Sequence, residues 1–149
     1  IFRHLFDDNR ITIEGKTALT FSDDTRGRFE AYGWQVLAVD GHDREAVARA
    51  IEQAQADTER PSLIICRTHI GYGSPNKQDT SSAHGEPLGP EEVAATKRNL
   101  GLPEDKDFYV PDDVRELFAM RARQMKRQAR KWERQLKAYA EAHPEKADL

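Results

Sequence analysis

Two apolar runs separated by one amphipathic stretch limit the fold of this chain more than any other feature. Trp34 to Val39 ("WQVLAV") and Ser62 to Thr68 ("SLIICRT") have strand length and are rich in aliphatic and β-branched residues. Between them, Asp43 can cap a helix whose apolar positions Ala46, Val47, Ala50, Ile51 and Ala54 form one stripe, with a stop before Pro61. A strand, a helix and a strand in that order imply parallel pairing, because the crossover helix packs back on the sheet. A third apolar run, Ile1 to Phe6, ends at the turn residues Asp7, Asp8 and Asn9. The expected fold is therefore α/β, a mainly parallel sheet flanked by helices.

The remaining segments fill in around these strands. Ile11 to Ile13 reads as a brief extended piece, and Glu14 to Phe21 as loop. Ser22 is the expected N-cap of a helix with Asp23 and Asp24 in its first turn, Phe29 and Tyr32 one helical step apart, and Gly33 at its stop. Pro90 opens a further helix that Asn99, Leu100 and Gly101 terminate. From Pro111 the pattern changes: Val114, Phe118, Arg121, Met125, Ala129, Trp132, Leu136 and Tyr139 lie on a seam that steps by fours and threes. That spacing predicts one long C-terminal amphipathic helix, with Pro111 in its first turn and Pro144 beyond its end.

Composition fits one domain plus an exposed helix. Of 149 residues, 38% are hydrophobic and 33% charged, and the mean hydropathy is -0.82. The net charge is -3, yet Arg121 to Lys137 carries eight Lys/Arg and one Glu. These charges surround an apolar seam, which reads as a solvated face packed on a partner domain, with no nucleic acid bound; the rival is a noncatalytic binding module that uses the basic helix. The single cysteine, Cys66, excludes an intrachain disulfide and reads as a small buried thiol, in keeping with a reducing cytosol. No apolar run approaches the ~20 residues that span a membrane, and the first residues lack the order of a signal peptide. A soluble, intracellular, cytoplasmic protein with no membrane contact is expected, and Ile1 in place of methionine suggests a piece of a longer chain.

In open α/β sheets ligands sit beyond the carboxyl ends of the strands, so the chemistry is sought at Asp7 to Ile13, Asp40 to Asp43, and Ile70 to Gly89. Asp7, Asp8 and Asn9 cluster the oxygen ligands that Mg²⁺ or Ca²⁺ prefers, and a backbone carbonyl a residue or two later could share an ion that bridges to phosphate. The twenty-residue stretch from Ile70 ("IGYGSPNKQDTSSAHGEPLG") is too long for a simple connection, and it reads as a loop shaped for a ligand. Gly71 and Gly73 flank Tyr72, which lets backbone approach a ligand closely. His84, beside Gly85, could exchange a proton or donate a charged hydrogen bond to a phosphate or sugar oxygen. His42 reads as a helix-entry residue and His69 as a strand-end side chain.

Taken together, "FDDNRITIEG", "DDTRGRFEAYGWQVLAVDGHD", "PSLIICRTHIGYGSPNKQDTSSAHGEPLG" and "FYVPDDV" through "WERQLKAYAEAHPE" resemble transketolase, in the order and at the spacing of that family. The resemblance covers essentially the whole chain. It implies part of a thiamine diphosphate-binding fold: residues 1–110 as the latter part of the diphosphate-binding domain, and 111–149 as the long helix and start of a linker to the next domain. It also implies Asn9 through its side chain and Ile11 through its carbonyl as Mg²⁺ or Ca²⁺ ligands, Ile70 against the thiazolium of thiamine diphosphate, and His84 at the cofactor diphosphate and the sugar substrate. The implied reaction transfers a two-carbon ketol unit from a ketose phosphate to an aldose phosphate, within a homodimer; dihydroxyacetone synthase is the alternative within the class.

Departures from the family pattern are equally specific. The Gly-Asp-Gly that supplies a further metal ligand would lie upstream of Asn9, where only eight residues stand. Asp79 and Ser81 occupy positions where the family often has glycine and histidine, and Arg3 and His4 sit in a strand it usually makes apolar. The 149 residues are therefore expected not to catalyse alone.

Overall fold

The computed structural model describes residues 2–147, and the chain divides into two compact units, Ile1–Glu104 and Asp105–Leu149. The first unit runs β1 (Arg3–Asp8), β2 (Ile11–Thr12), β3 (Gly15–Lys16), a 3-10 turn (Thr17–Leu19), α1 (Thr25–Ala31), β4 (Gln35–Asp40), α2 (Arg44–Ala56), β5 (Ser62–Arg67), α3 (Ser82–Gly85) and α4 (Pro90–Asn99). β1, β5 and β4 form a parallel sheet in that order, while β2 and β3 form a small antiparallel hairpin.

The order places β5 at the centre, and its burial follows from that place. The connection from β1 through α1 passes over β5 to reach β4, and the connection through α2 then returns to the middle. Two right-handed crossovers running in opposite directions put their helices on opposite faces of the sheet. Side chains on one face, Ile64 and Cys66, pack with Leu37 and Val39 of β4 and with Ala50, Ile51 and Ala54 of α2. On the other face, Leu63 shares an apolar cleft with Phe6, Phe21 and the α1 residue Phe29. Leu63 and Ile64 are each 1% exposed, so neither face of β5 is left to water. That explains why "SLIIC" is a continuous apolar run and does not alternate.

Local chemistry sets the ends of the helices. The Asp43 carboxylate accepts from the backbone N–H of Glu45 and of Ala46, each at 3.0 Å, and caps α2 as its sequence predicts. At the other end, Arg3 Nε donates to the carbonyl of Ala54 at 2.9 Å, so a cation from edge strand β1 meets the negative end of α2. This accounts for an arginine in a strand that could have been apolar.

Several boundaries differ from the sequence reading. α1 is capped by Asp24, which accepts from Gly27 N–H at 3.0 Å, and not by Ser22. A Cβ at residue 27 would stand 2.6 Å from Asp24 Oδ2, so glycine at that position leaves room for the later cap. β1 extends through Asp7 and Asp8, which pair with Cys66 and Arg67, because its neighbour continues to that level. Glu14 to Phe21 contains β3 and the 3-10 turn, where a loop was expected. Ile1, assigned to the first strand, lies outside the described residues, as does the end of the 111–149 segment.

The second unit consists mainly of α5 (Asp112–Ala142), followed by the single turn α6 (Pro144–Ala147). Pro111 is the N-cap residue and stands one position before the first turn, and Pro144 opens α6 directly after His143. Phe118, Met125, Trp132, Leu136 and Tyr139 of α5 are exposed. Among the described residues, no helix is long and apolar enough to cross a membrane.

Because Ile64 is enclosed on its own face, Ile64→Ala should lower stability by about 2–5 kcal/mol through lost burial and a residual cavity. Denaturant unfolding checks this, and a cost below about 1 kcal/mol would contradict the assignment of β5 as the centre of the core.

Candidate functional site

Parallel register sets the carboxyl ends of the three strands level: Asp8, Arg67 and Asp40 are direct neighbours across the sheet. Asn9, Thr68 and Gly41 follow on the same rim. Gly41 is required there, since a Cβ would lie 2.5 Å from Thr68 Cγ2 and 3.0 Å from the Arg67 carbonyl oxygen. Its N–H donates to that carbonyl at 2.7 Å. Arg67 in turn donates through Nη1 to the Asp8 carbonyl at 2.8 Å and to the Thr68 carbonyl, and the Thr68 hydroxyl donates to Asp7 Oδ1. The rim is thus braced by side chains as well as by the ladder.

The turn after β1 is sharp. Asn9 Oδ1 accepts from Ile11 N–H at 2.9 Å, closing an Asx turn, and Arg10 between them has φ 62°. A left-handed backbone at a residue other than glycine costs about 1–2 kcal/mol, so the surroundings must hold it. They do: the Arg10 carbonyl accepts from Thr17 N–H at 3.0 Å, and Arg10 Nε lies 3.5 Å from Asp8 Oδ2. Two clefts open beside this turn. One, of about 550 Å³, is lined by Asp7, Asp8, Asn9, Ile11 and the residues leading into α1. The other, of about 400 Å³, joins Asn9, Arg10, Ile11, Lys16 and Arg67 to Asp79 of the long loop. Their polar lining is rich in oxygen donors and cations, which suits a phosphate-bearing ligand and a hard divalent ion. Among the described residues no group of three or more His, Cys, Asp or Glu could by itself hold a metal. The donors beside this turn are an amide oxygen and a backbone carbonyl, so an ion here would complete its shell with ligand oxygens or groups from elsewhere.

The stretch from Ile70 to Gly89 is ordered by its own polar groups. Asp79 N–H donates to the Ile70 carbonyl at 3.0 Å, and Asn99 Nδ2 reaches the Gly73 carbonyl at 2.9 Å. Gly73, at φ 85°, sits against Leu100, which a Cβ would meet at 2.8 Å. Glu92 of α4 clamps the loop: it accepts from the buried Ser74 hydroxyl, from Asn76 N–H at 2.8 Å and from Asn76 Nδ2 at 2.8 Å. Those bonds hold its carboxyl down to about 2, the Ser74 hydroxyl contributing most and Asn76 next.

The expected site residues are only partly brought together. Asn9 and Ile11 line both clefts, whereas Ile70 and His84 line neither. His84 is exposed on the single helical turn α3, where loop was expected, and its N–H donates to the Ser81 carbonyl at 2.9 Å. Ile70 is half-buried at the base of the loop. His42 and His69 are more engaged than their sequence reading suggests: His42 Nε2 accepts from His69 N–H at 2.9 Å, and the His42 ring stacks on Tyr72 with centroids 4.0 Å apart. Arg67 and Asp79 join Asn9 and Ile11 in the second cleft. A charge ending an apolar strand signalled the first, and an aspartate in a glycine-rich loop signalled the second. Cys66 is buried as expected, and burial pushes its thiol up, with the Asp7 carboxylate adding to the effect.

A doubly wound parallel sheet with an oxygen-lined cleft at its carboxyl rim defines the class: a ligand-binding α/β domain. Residues 2–149 match the family described as "Transketolase, thiamine diphosphate binding domain", and the chain belongs to that family. Transketolase 1 of Aliivibrio fischeri is 52% identical over 143 residues, covering 95% of this chain and 21% of the relative. Among solved structures, transketolase from Leishmania mexicana superposes with a TM-score of 0.87 at 34% identity, covering 98% of this chain and 22% of that one. A Pichia stipitis transketolase in complex with sedoheptulose-7-phosphate superposes with a TM-score of 0.86 at 30% identity, covering 99% and 22%. The chain therefore spans about a fifth of the length of the curated relatives it matches.

The clamp at Glu92 has a definite pH dependence. Its folded value lies below the ordinary 4.5, so its contribution is complete above that value and is lost as pH falls through about 2. Amide protection of residues 74–78, taken relative to the intrinsic exchange rate at each pH, should fall over that window, and Glu92→Gln should show the lower protection at neutral pH already. Equal protection in the variant would remove Glu92 from the loop's support.

Proposed function

We propose that this chain is a portion of a transketolase: residues 1–110 form the latter part of its diphosphate-binding domain, and 111–149 lead by a long helix toward the next domain. The whole enzyme transfers a two-carbon ketol unit from a ketose phosphate to an aldose phosphate. It works as a cytoplasmic homodimer of the pentose phosphate pathway. Family membership supports this reading, and so does the sedoheptulose-7-phosphate bound by the Pichia stipitis relative. The observation that carries it is the Asx turn of Asn9 and Ile11 opening onto a cation-lined cleft at the sheet rim.

Thiamine diphosphate supplies the carbanion chemistry when bound. The residues of this chain bind and orient it. Asn9, through its side-chain oxygen, and Ile11, through its backbone carbonyl, would hold an Mg²⁺ or Ca²⁺ ion; the donors fit, being neutral oxygens suited to a hard cation. The left-handed Arg10 sets the path of the backbone between those two donors. Ile70 offers an apolar wall to the thiazolium. His84 would donate a hydrogen bond to the diphosphate and to a sugar oxygen, its ring being exposed on α3.

Removing one donor to a charged group is worth about 1.5–3 kcal/mol, or roughly ten- to a hundredfold in affinity. Asn9→Ala should weaken binding of thiamine diphosphate with Mg²⁺ by that factor in isothermal titration, and Asn9→Asp, which keeps an oxygen, should recover part of it. Unchanged affinity in Asn9→Ala would end the reading. The 149 residues by themselves should show no turnover of a ketose phosphate with an aldose phosphate when cofactor and Mg²⁺ are supplied. Measurable ketol transfer by the isolated chain would show that it needs nothing from the rest of the enzyme.

A further inference from the structure

Asp79 is the residue through which the long loop reaches the cleft of Asn9 and Ile11. Its geometry is unusual in three respects. Its φ is 58°, a left-handed conformation that aspartate and asparagine tolerate better than most residues. Its N–H donates to the Ile70 carbonyl at 3.0 Å, closing residues 70–79 into a ring. Its carboxylate Oδ2 lies 2.7 Å from His69 Nδ1.

His69 does not stand alone at the other side of that bond. Its N–H donates to His42 Nε2 at 2.9 Å, and its ring stacks with the His42 ring at 5.5 Å. His42 stacks in turn on Tyr72 inside the loop, and His42 N–H donates to Asp40 Oδ1 at 2.9 Å at the end of β4. A continuous path therefore runs from the cleft, through Asp79, His69 and His42, to the rim of the sheet. Ile70 is held at both of its sides: His69 precedes it in the chain, and Asp79 binds its carbonyl.

We infer that Asp79 is a positioning residue, which with His69 clasps the base of the loop and fixes Ile70 for the apolar ring of the cofactor. This rests on the thiamine diphosphate reading given above. It predicts a selective effect. The clasp should matter for a ligand that carries the thiamine ring, and hardly for the diphosphate alone, whose proposed partners Asn9, Ile11, His84 and the cations of the cleft lie outside the clasp.

Titration of the protein with Mg²⁺ and either thiamine diphosphate or inorganic pyrophosphate tests this. Asp79→Gly relieves the backbone and removes the carboxylate; Asp79→Asn keeps an oxygen acceptor for His69 and tolerates the same φ. Asp79→Gly and His69→Ala should each lower affinity for thiamine diphosphate by roughly fivefold or more. Neither should weaken pyrophosphate binding. Asp79→Asn should bind thiamine diphosphate as the unaltered protein does. Amide exchange should quicken at residues 70–79 in Asp79→Gly while α2 stays protected, which shows that the protein remains folded. Equal loss for both ligands, no loss for thiamine diphosphate, no rescue by asparagine, or unchanged exchange overturns the inference. If Asn9→Ala leaves both ligands bound as before, the cofactor reading fails, and that outcome is distinct from failure of the clasp.

Discussion

Enclosure of β5 between two helical layers is the constraint on which the remaining structure depends. Leu63 and Ile64 point to opposite faces, and each is covered by a different helix because the chain crosses the sheet in opposite directions before and after β4. Removing apolar surface of this size from water contributes about 1.5–3 kcal/mol for each large side chain. Its larger consequence is geometric. With β1 and β4 parallel to the same buried strand, their carboxyl ends share one level, and turns far apart in sequence share one rim.

That rim is polar, and its backbone is held by specific bonds. Arg67 ties the carbonyls at the ends of β1 and β5, and Thr68 reaches Asp7 across the same gap. On such a base the chain tolerates left-handed conformations at Arg10 and at Asp79, two residues that line a common cleft. Local strain of this kind persists where neighbouring bonds over-determine the backbone. Rigidity at the rim suits a domain that must present donors to a charged ligand without reorganising.

Much of the fold is legible in the residues. "SLIIC" is apolar at successive positions because both of its faces are buried, and Asp43 announces the start of α2 through the two amides it accepts from. The α1 cap falls at Asp24, two residues past Ser22, because both are competent caps and the choice rests on space at Gly27. In the candidate site, Asn9 and Ile11 are readable as a local turn. The roles of Arg67 and His42 are not, since each depends on a partner from another strand or loop, and Asp79 meets Asn9 and Ile11 only across their common cleft. His84, singled out by motif, is exposed on α3 and lines neither cleft of the Asn9 turn.

Alone, the order of residues determined the principal strands and helices, the parallel pairing and the family, because periodicity, capping and motif spacing are properties of neighbours along the chain. Tertiary structure decided which turns meet. The bond from His69 to His42, and the common cleft of Asp79, Asn9 and Ile11, come from strand order and register. Those are settled by the burial of β5 across the whole sheet, and no local stretch of sequence encodes them.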